Sequence, residues 1–262
     1  MTQRIEQAFN QVKGENRAAL VTFIMGGDPD EASCRALLDG LPGAGADIIE
    51  IGMPFSDPMA DGPTIQAAGL RALASGATLT KILATVADFR TKHPTTPIIL
   101  MGYYNPVYHY GAEKFCRDAK QAGADGLILV DLPPEEEAEL LPFIHAEKLS
   151  LIRLIAPTSM GERLGRIVAS ASGFVYYISV AGITGAGSAT KASLEAAVKQ
   201  LRAHTALPIA LGFGIKTTEQ AFDAAQLADA VVVGSALVER FHEQGAKAAL
   251  TFVSSLAAAM KR

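Results

Sequence analysis

The sequence predicts an α/β protein, a single (β/α)8 barrel of parallel strands with extra N-terminal and loop helices. Three observations predict it. Eight short apolar runs alternate with longer amphipathic stretches. Strands that alternate with helices form right-handed βαβ units and a parallel sheet, and eight such units close into a barrel. The turns into the strands share a pattern: Ala44-Gly45-Ala46-Asp47, Ala122-Gly123-Ala124-Asp125 and, as a weaker echo, Leu227-Ala228-Asp229-Ala230. Finally, 262 residues suit one barrel, and no Pro/Gly/Ser-rich linker or charge run divides them, so residues 1–262 read as one domain.

The predicted strands are residues 20–24, 48–51, 98–101, 126–130, 151–155, 174–178, 209–211 and 230–233. Each is a run of three to five mostly β-branched or aliphatic residues, as a strand buried on both faces requires. Helical periodicity covers 31–41, 64–73, 79–92, 112–122, 135–147, 160–169, 192–204, 218–227 and 236–243. Ile5, Phe9 and Val12 recur at helical spacing and predict an N-terminal helix outside the repeat.

Composition excludes several function classes. Half the chain is hydrophobic (49%) and only 19% is charged, which supplies a large core and argues against disorder. A net charge of -4 gives no basic footprint for nucleic acid. No apolar run reaches the roughly 18 residues that span a bilayer, and the polar start of the chain lacks a signal-peptide core. With Cys34 and Cys116 the only cysteines, both in helical patterns, no disulfide framework is expected and the predicted setting is cytoplasmic.

A barrel carries its chemistry at strand C-termini and the loops after them. The second strand contains Glu50, a carboxylate inside an apolar run, which is costly to bury without a partner or a task. The loop after it adds Asp57 and Asp61. Two carboxylates in unlike surroundings divide acid and base work; the alternative is that Asp57 and Asp61 are turn and N-cap residues. The last three strand-end loops are glycine-rich, and helix N-termini with close glycine backbone suit a phosphate. Phe23, Met101, Tyr103, Leu129, Tyr176 and Phe213 lie at or near strand ends and suggest a pocket for an aromatic ligand. No lysine sits at a strand end for Schiff-base chemistry; Lys216 is the nearest, beyond Gly214. No histidine shares a strand end with a carboxylate, so no metal site is predicted.

Residues 50–66 read EIGMPFSDPMADGPTIQ. This stretch closely resembles the signature of the tryptophan synthase alpha chain family, and weaker resemblance covers nearly the whole chain. The resemblance implies a barrel lyase of tryptophan biosynthesis that cleaves indole-3-glycerol phosphate to indole and glyceraldehyde 3-phosphate. By position, Glu50 and Asp61 match the family's two catalytic carboxylates. Gly185, Gly214, Gly234 and Ser235 match the groups that hold the substrate phosphate, and the aromatic positions match those around the indole ring. The resemblance also implies an alpha2beta2 heterotetramer in which the beta chain alone carries pyridoxal phosphate, with no cofactor in this chain. The loop after the sixth strand, with Thr184 and Gly185, is expected to be mobile and to close over Asp61 and substrate. Two features depart from the pattern: Tyr104 has no assigned place, and Val180 stands where some members carry arginine. The rival readings are a sugar-phosphate isomerase or epimerase on the same barrel, and a barrel that serves only as a binding or regulatory subunit.

Overall fold

The structure, a computed structural model, describes residues 2–178, 190–212 and 214–261. Nine parallel strands form one nearly closed sheet in the order β5-β4-β3-β2-β1-β9-β8-β7-β6. They are β1 (Ala19–Met25), β2 (Ile48–Gly52), β3 (Ile98–Gly102), β4 (Gly126–Leu129), β5 (Ser150–Leu151), β6 (Arg153–Ile155), β7 (Val175–Ile178), β8 (Ile209–Gly212) and β9 (Ala230–Val233). The predicted fifth strand is split. β5 pairs with β4 and β6 pairs with β7. Only Ile152 separates the two pieces, and its N–H still donates to Leu127 O at 3.0 Å. The two ends of the nine-strand order are therefore one continuous stretch of chain, and the arrangement is a (β/α)8 barrel.

Side-chain parity along each strand builds two layers. Ala19, Val21, Ile48, Ile99, Ile128, Ile152, Ala210, Ala230 and Val232 fill the barrel interior. Leu20, Ile24, Ile49, Ile51, Ile98, Leu100, Leu127 and Leu129 face the surrounding helices. The helix predicted from Ile5, Phe9 and Val12, α1 (Gln3–Gly14), turns those three residues into the interior cluster and closes the bottom of the barrel, where Phe9 and Phe174 pack ring to ring.

The outer layer comprises α2 (Glu31–Gly40), α3 (Pro63–Ala74), α4 (Leu79–Lys92), α5 (Tyr104–Tyr110), α6 (Ala112–Ala122), α7 (Leu141–Ala146), α8 (Glu162–Ala169), α9 (Lys191–His204), α10 (Thr218–Ala225) and α11 (Ser235–Ala259). Three differences from the predicted helices stand out. The stretch 135–147 is a short 3-10 turn (Glu137–Glu139) followed by α7. Residues after Tyr103 form α5, whose Pro106 falls in the first turn, where its missing N–H costs nothing. The last helix does not stop near Glu243: a break at Gly245 is followed by more helix, which buries Ala249, Phe252, Val253 and Leu256. Among the described residues no helix is long and apolar enough to cross a membrane.

The repeated turn has a use that its glycines and alanines did not reveal. Asp47 N–H donates to Leu20 O, and its carboxylate accepts the Leu20 N–H at 2.8 Å. Asp125 does the same with Ile98, at 3.0 Å, and Asp229 with Ile209, at 2.8 Å. Each aspartate thus pins the start of its own strand to the start of the neighbouring one. Each also meets arginine: Arg17 grips Asp47 with two bonds of 2.7 and 2.8 Å, Arg4 and Arg90 share Asp125, and Arg202 pairs with Asp229. Three quasi-equivalent aspartates, each paired with arginine, therefore set the strand register at the end of the barrel opposite the functional loops.

Candidate active site

At the C-terminal end of the strands lies a cavity of about 210 Å³. Its wall brings together Phe23, Glu50, Asp61, Met101, Tyr176, Gly214, Gly234 and Ser235, eight of the residues singled out by the sequence. Ile65, Ile178, Gly212, Ile215, Lys216, Val232 and Ala236 complete it.

Glu50 occupies an inward position of β2, between Phe23 on β1 and Ile99 on β3 in register. It is 1% exposed, and its Oε1 has no hydrogen-bond partner among the described residues. Burial pushes its carboxyl up to about 8, so near neutral pH it holds a proton. Tyr176, inward on β7, lies close enough to feel it: burial first, then Glu50, raises the phenol well above its ordinary range. The ring also dictates a neighbour. A Cβ on Gly212 would stand 2.5 Å from the Tyr176 hydroxyl, so only glycine fits there.

Asp61 arrives from the loop after β2. Its N–H donates to Pro58 O at 3.1 Å, and Gln66 Nε2 donates to its carbonyl at 2.8 Å. The N-cap of α3 is Gly62, with no side-chain cap, so the capping alternative for the Asp61 carboxylate does not hold. The carboxylate instead meets the Tyr103 hydroxyl. Partial burial raises Asp61, and the Tyr103 hydrogen bond works against that rise. Tyr103, buried at the end of β3, accepts the Ala60 N–H at 3.0 Å and stacks obliquely on Phe55. Burial pushes its phenol up to about 12. It holds the loop rather than lining the cavity. Asp57 is an exposed turn residue whose carbonyl accepts the Met59 N–H. A part-buried pair fastens the far end of α3: Arg71 grips the 1%-exposed Asp28 through bonds of 2.7 and 2.9 Å.

Opposite the carboxylates, the cavity is walled by backbone. Gly214 has φ +77°, a conformation that a side chain would strain. Gly234 is the N-cap of α11 and offers no capping side chain, so the first N–H groups of that helix, at Ser235 and Ala236, meet no side-chain cap among the described residues and stand at the cavity wall.

Leu129 is a correction. It shares parity with Leu127 and packs into the outer cluster, facing helices rather than the cavity. Tyr104 also turns outward: its N–H donates to Asp131 at 2.7 Å and its ring packs on Tyr108. Lys216, set aside in the sequence reading, lines the cavity. Thr184, Gly185 and Val180, with the rest of the loop after the sixth predicted strand, and Phe213 lie outside the described residues.

Residues 9–261 match the family model described as tryptophan synthase alpha chain. The chain belongs to the tryptophan synthase alpha chain family. Its fold is similar to that of tryptophan synthase subunit alpha from Legionella pneumophila str. Paris, at 39% identity over 99% of both chains with a TM-score of 0.92. A chain of Mycobacterium tuberculosis tryptophan synthase shares 37% identity over all of both chains, also at 0.92. A chain from Aquifex aeolicus VF5 shares 36%, again over all of both, at 0.92. The alpha family's activity is cleavage of indole-3-glycerol phosphate in tryptophan biosynthesis, a lyase reaction, and its members work in a heterotetramer with beta chains.

Proposed function

We propose that this chain cleaves indole-3-glycerol phosphate to indole and glyceraldehyde 3-phosphate with Glu50 as the acid–base group. The observation that carries the assignment is a fully buried carboxyl at the wall of an apolar cavity, with one oxygen unpartnered among the described residues and a proton held near neutral pH. Glu50 gives its proton to C3 of the indole ring. The ring becomes a cation, and Asp61, on the same cavity, accepts the indole N–H and stabilises the positive charge. Glu50 is now a carboxylate and takes the proton of the glycerol hydroxyl next to C3. The C–O bond becomes a carbonyl as the bond to C3 breaks, and its electrons return to the ring. Glu50 is protonated again and the cycle is closed.

The ring itself serves as electron sink, so the reaction asks for no cofactor in this chain, and pyridoxal phosphate belongs to the beta chain. Phe23, Met101 and Tyr176 supply a flat apolar pocket for the indole. The backbone N–H groups of Gly214, and of Gly234 and Ser235 at the start of α11, hold the phosphate, and the family resemblance assigns the same role to Gly185, which lies outside the described residues. The chain pairs with a beta chain in the cytoplasm as an alpha2beta2 heterotetramer. The test is direct: the purified chain is incubated with indole-3-glycerol phosphate and both products are quantified. Equimolar indole and glyceraldehyde 3-phosphate are expected. A sugar-phosphate isomerase or a purely regulatory barrel would release no indole.

A further inference from the structure

Two helix starts flank the phosphate end of the cavity, and they differ. At α11 the N-cap is Gly234 and the first N–H groups are uncapped by any side chain. At α10 the N-terminus is already satisfied by the chain itself: Thr217 and Gln220 form a capping box, and Gln220 Oε1 accepts both the Lys216 N–H, at 2.8 Å, and the Thr217 N–H, at 3.3 Å. The α10 start has little backbone to offer an anion, but its capping fixes the Lys216 backbone at the cavity rim. Lys216 is exposed, lines the cavity and makes no ion pair among the described residues.

Charge counting sharpens the point. Lys216 is the sole lysine or arginine among the described residues of the cavity wall. Residues 179–189 and Phe213, which lie outside the described residues, include no lysine or arginine. The other ionisable groups on the wall are the carboxyls Glu50 and Asp61 and the phenol Tyr176. A phosphate monoester carries about two negative charges at neutral pH. Backbone N–H groups solvate it but do not neutralise it.

We propose that Lys216 is the cationic arm of the phosphate site, closing on the phosphate monoester of the substrate while Gly214, Gly234 and Ser235 hold it by backbone. The proposal rests on the phosphate-site reading above. It assigns a binding role, with no part for the lysine in bond breaking. An exposed charge pair of this kind is screened by salt, so affinity for a phosphate ligand falls with ionic strength, and Lys216 carries that dependence.

The test is calorimetric titration of the full chain with two probes, glycerol 3-phosphate and indole, at low and at physiological ionic strength. The wild type, Lys216→Met and Lys216→Arg are compared. Lys216→Met is expected to weaken glycerol 3-phosphate about tenfold at low salt, as loss of one charged hydrogen bond does. The same variant loses most of the salt dependence and leaves indole affinity unchanged. Lys216→Arg keeps the charge and restores affinity. Unchanged glycerol 3-phosphate affinity in Lys216→Met, with a wild-type salt dependence, overturns the proposal while leaving the phosphate site itself standing. Equal weakening of both probes also overturns it, because the effect is then not specific to charge. Failure of the wild type to bind glycerol 3-phosphate at all overturns the proposal together with the reading it rests on.

Discussion

A carboxyl kept protonated by burial is a proton donor at the pH of the cell, and Glu50 has this property because nothing around it competes. Among the described residues no arginine or lysine lowers it, and one of its oxygens is unpartnered. The same burial links it to stability. Its folded pKa, about 8, lies above its ordinary 4.5, so the folded chain keeps a proton that the unfolded chain releases. The stability this group contributes is complete below the unfolded value and is lost as pH rises through the folded one. At about 1.4 kcal/mol per unit, the loss amounts to a few kcal/mol. Glu50→Gln cannot ionise and should escape it: urea midpoints at pH 5 and pH 9 should diverge in favour of the variant as pH rises. Parallel pH dependence of the two proteins would refute the raised pKa. Asp61 calls for a different pair of readings. Its carboxylate caps no helix, so Asp61→Asn should cost activity at least about 10²-fold while the thermal midpoint moves little. Lost stability with retained activity would mean a structural role instead.

At the scale of elements, the aspartate pins at the bottom of the barrel and the carboxylates at the top are separate devices. Asp125 is fully buried between Arg4 and Arg90, and burial pushes the Arg90 guanidinium down to about 10. Asp125→Asn keeps an acceptor for Ile98 N–H but leaves the arginines without a counter-charge, and should cost about 3 kcal/mol. Substrate KM measured well below the melting range should stay at the wild-type value; a changed KM would show that the two ends are coupled. The strands were legible in the sequence because each is a short apolar run between turn residues. The helices were less so. α5 was hidden because Asn105-Pro106 reads as a turn, although proline is harmless in a first turn. The second half of α11 was hidden because Gly245 reads as a stop. Leu129 was misassigned because nearness to a strand end was counted and parity was not: Leu127 and Leu129 necessarily face the same way. Glu50 was legible for the converse reason, as a charged residue inside a run that had to be buried on both faces.

For the molecule as a whole, the barrel gives the site its rigidity and leaves the loops at the strand ends exposed for the proposed partner. The exposed Met59, in the loop that delivers Asp61, and Tyr108 on α5 stand after neighbouring strands. Binding of a beta chain over these loops should order the segment after Glu50 and raise the rate of indole release. Sedimentation of the two chains together at micromolar concentration should show one complex, and separate boundaries would count against it. One member of the cavity wall could not be assigned from residue type: Lys216 became a neighbour of the carboxylates only through barrel closure. The central claim remains that Glu50 moves the protons. It is tested most directly by turnover of indole-3-glycerol phosphate in Glu50→Gln, with substrate binding measured on the same protein. The account predicts indole release reduced by at least about 10²-fold with affinity largely kept. Near-normal turnover in that variant would contradict it.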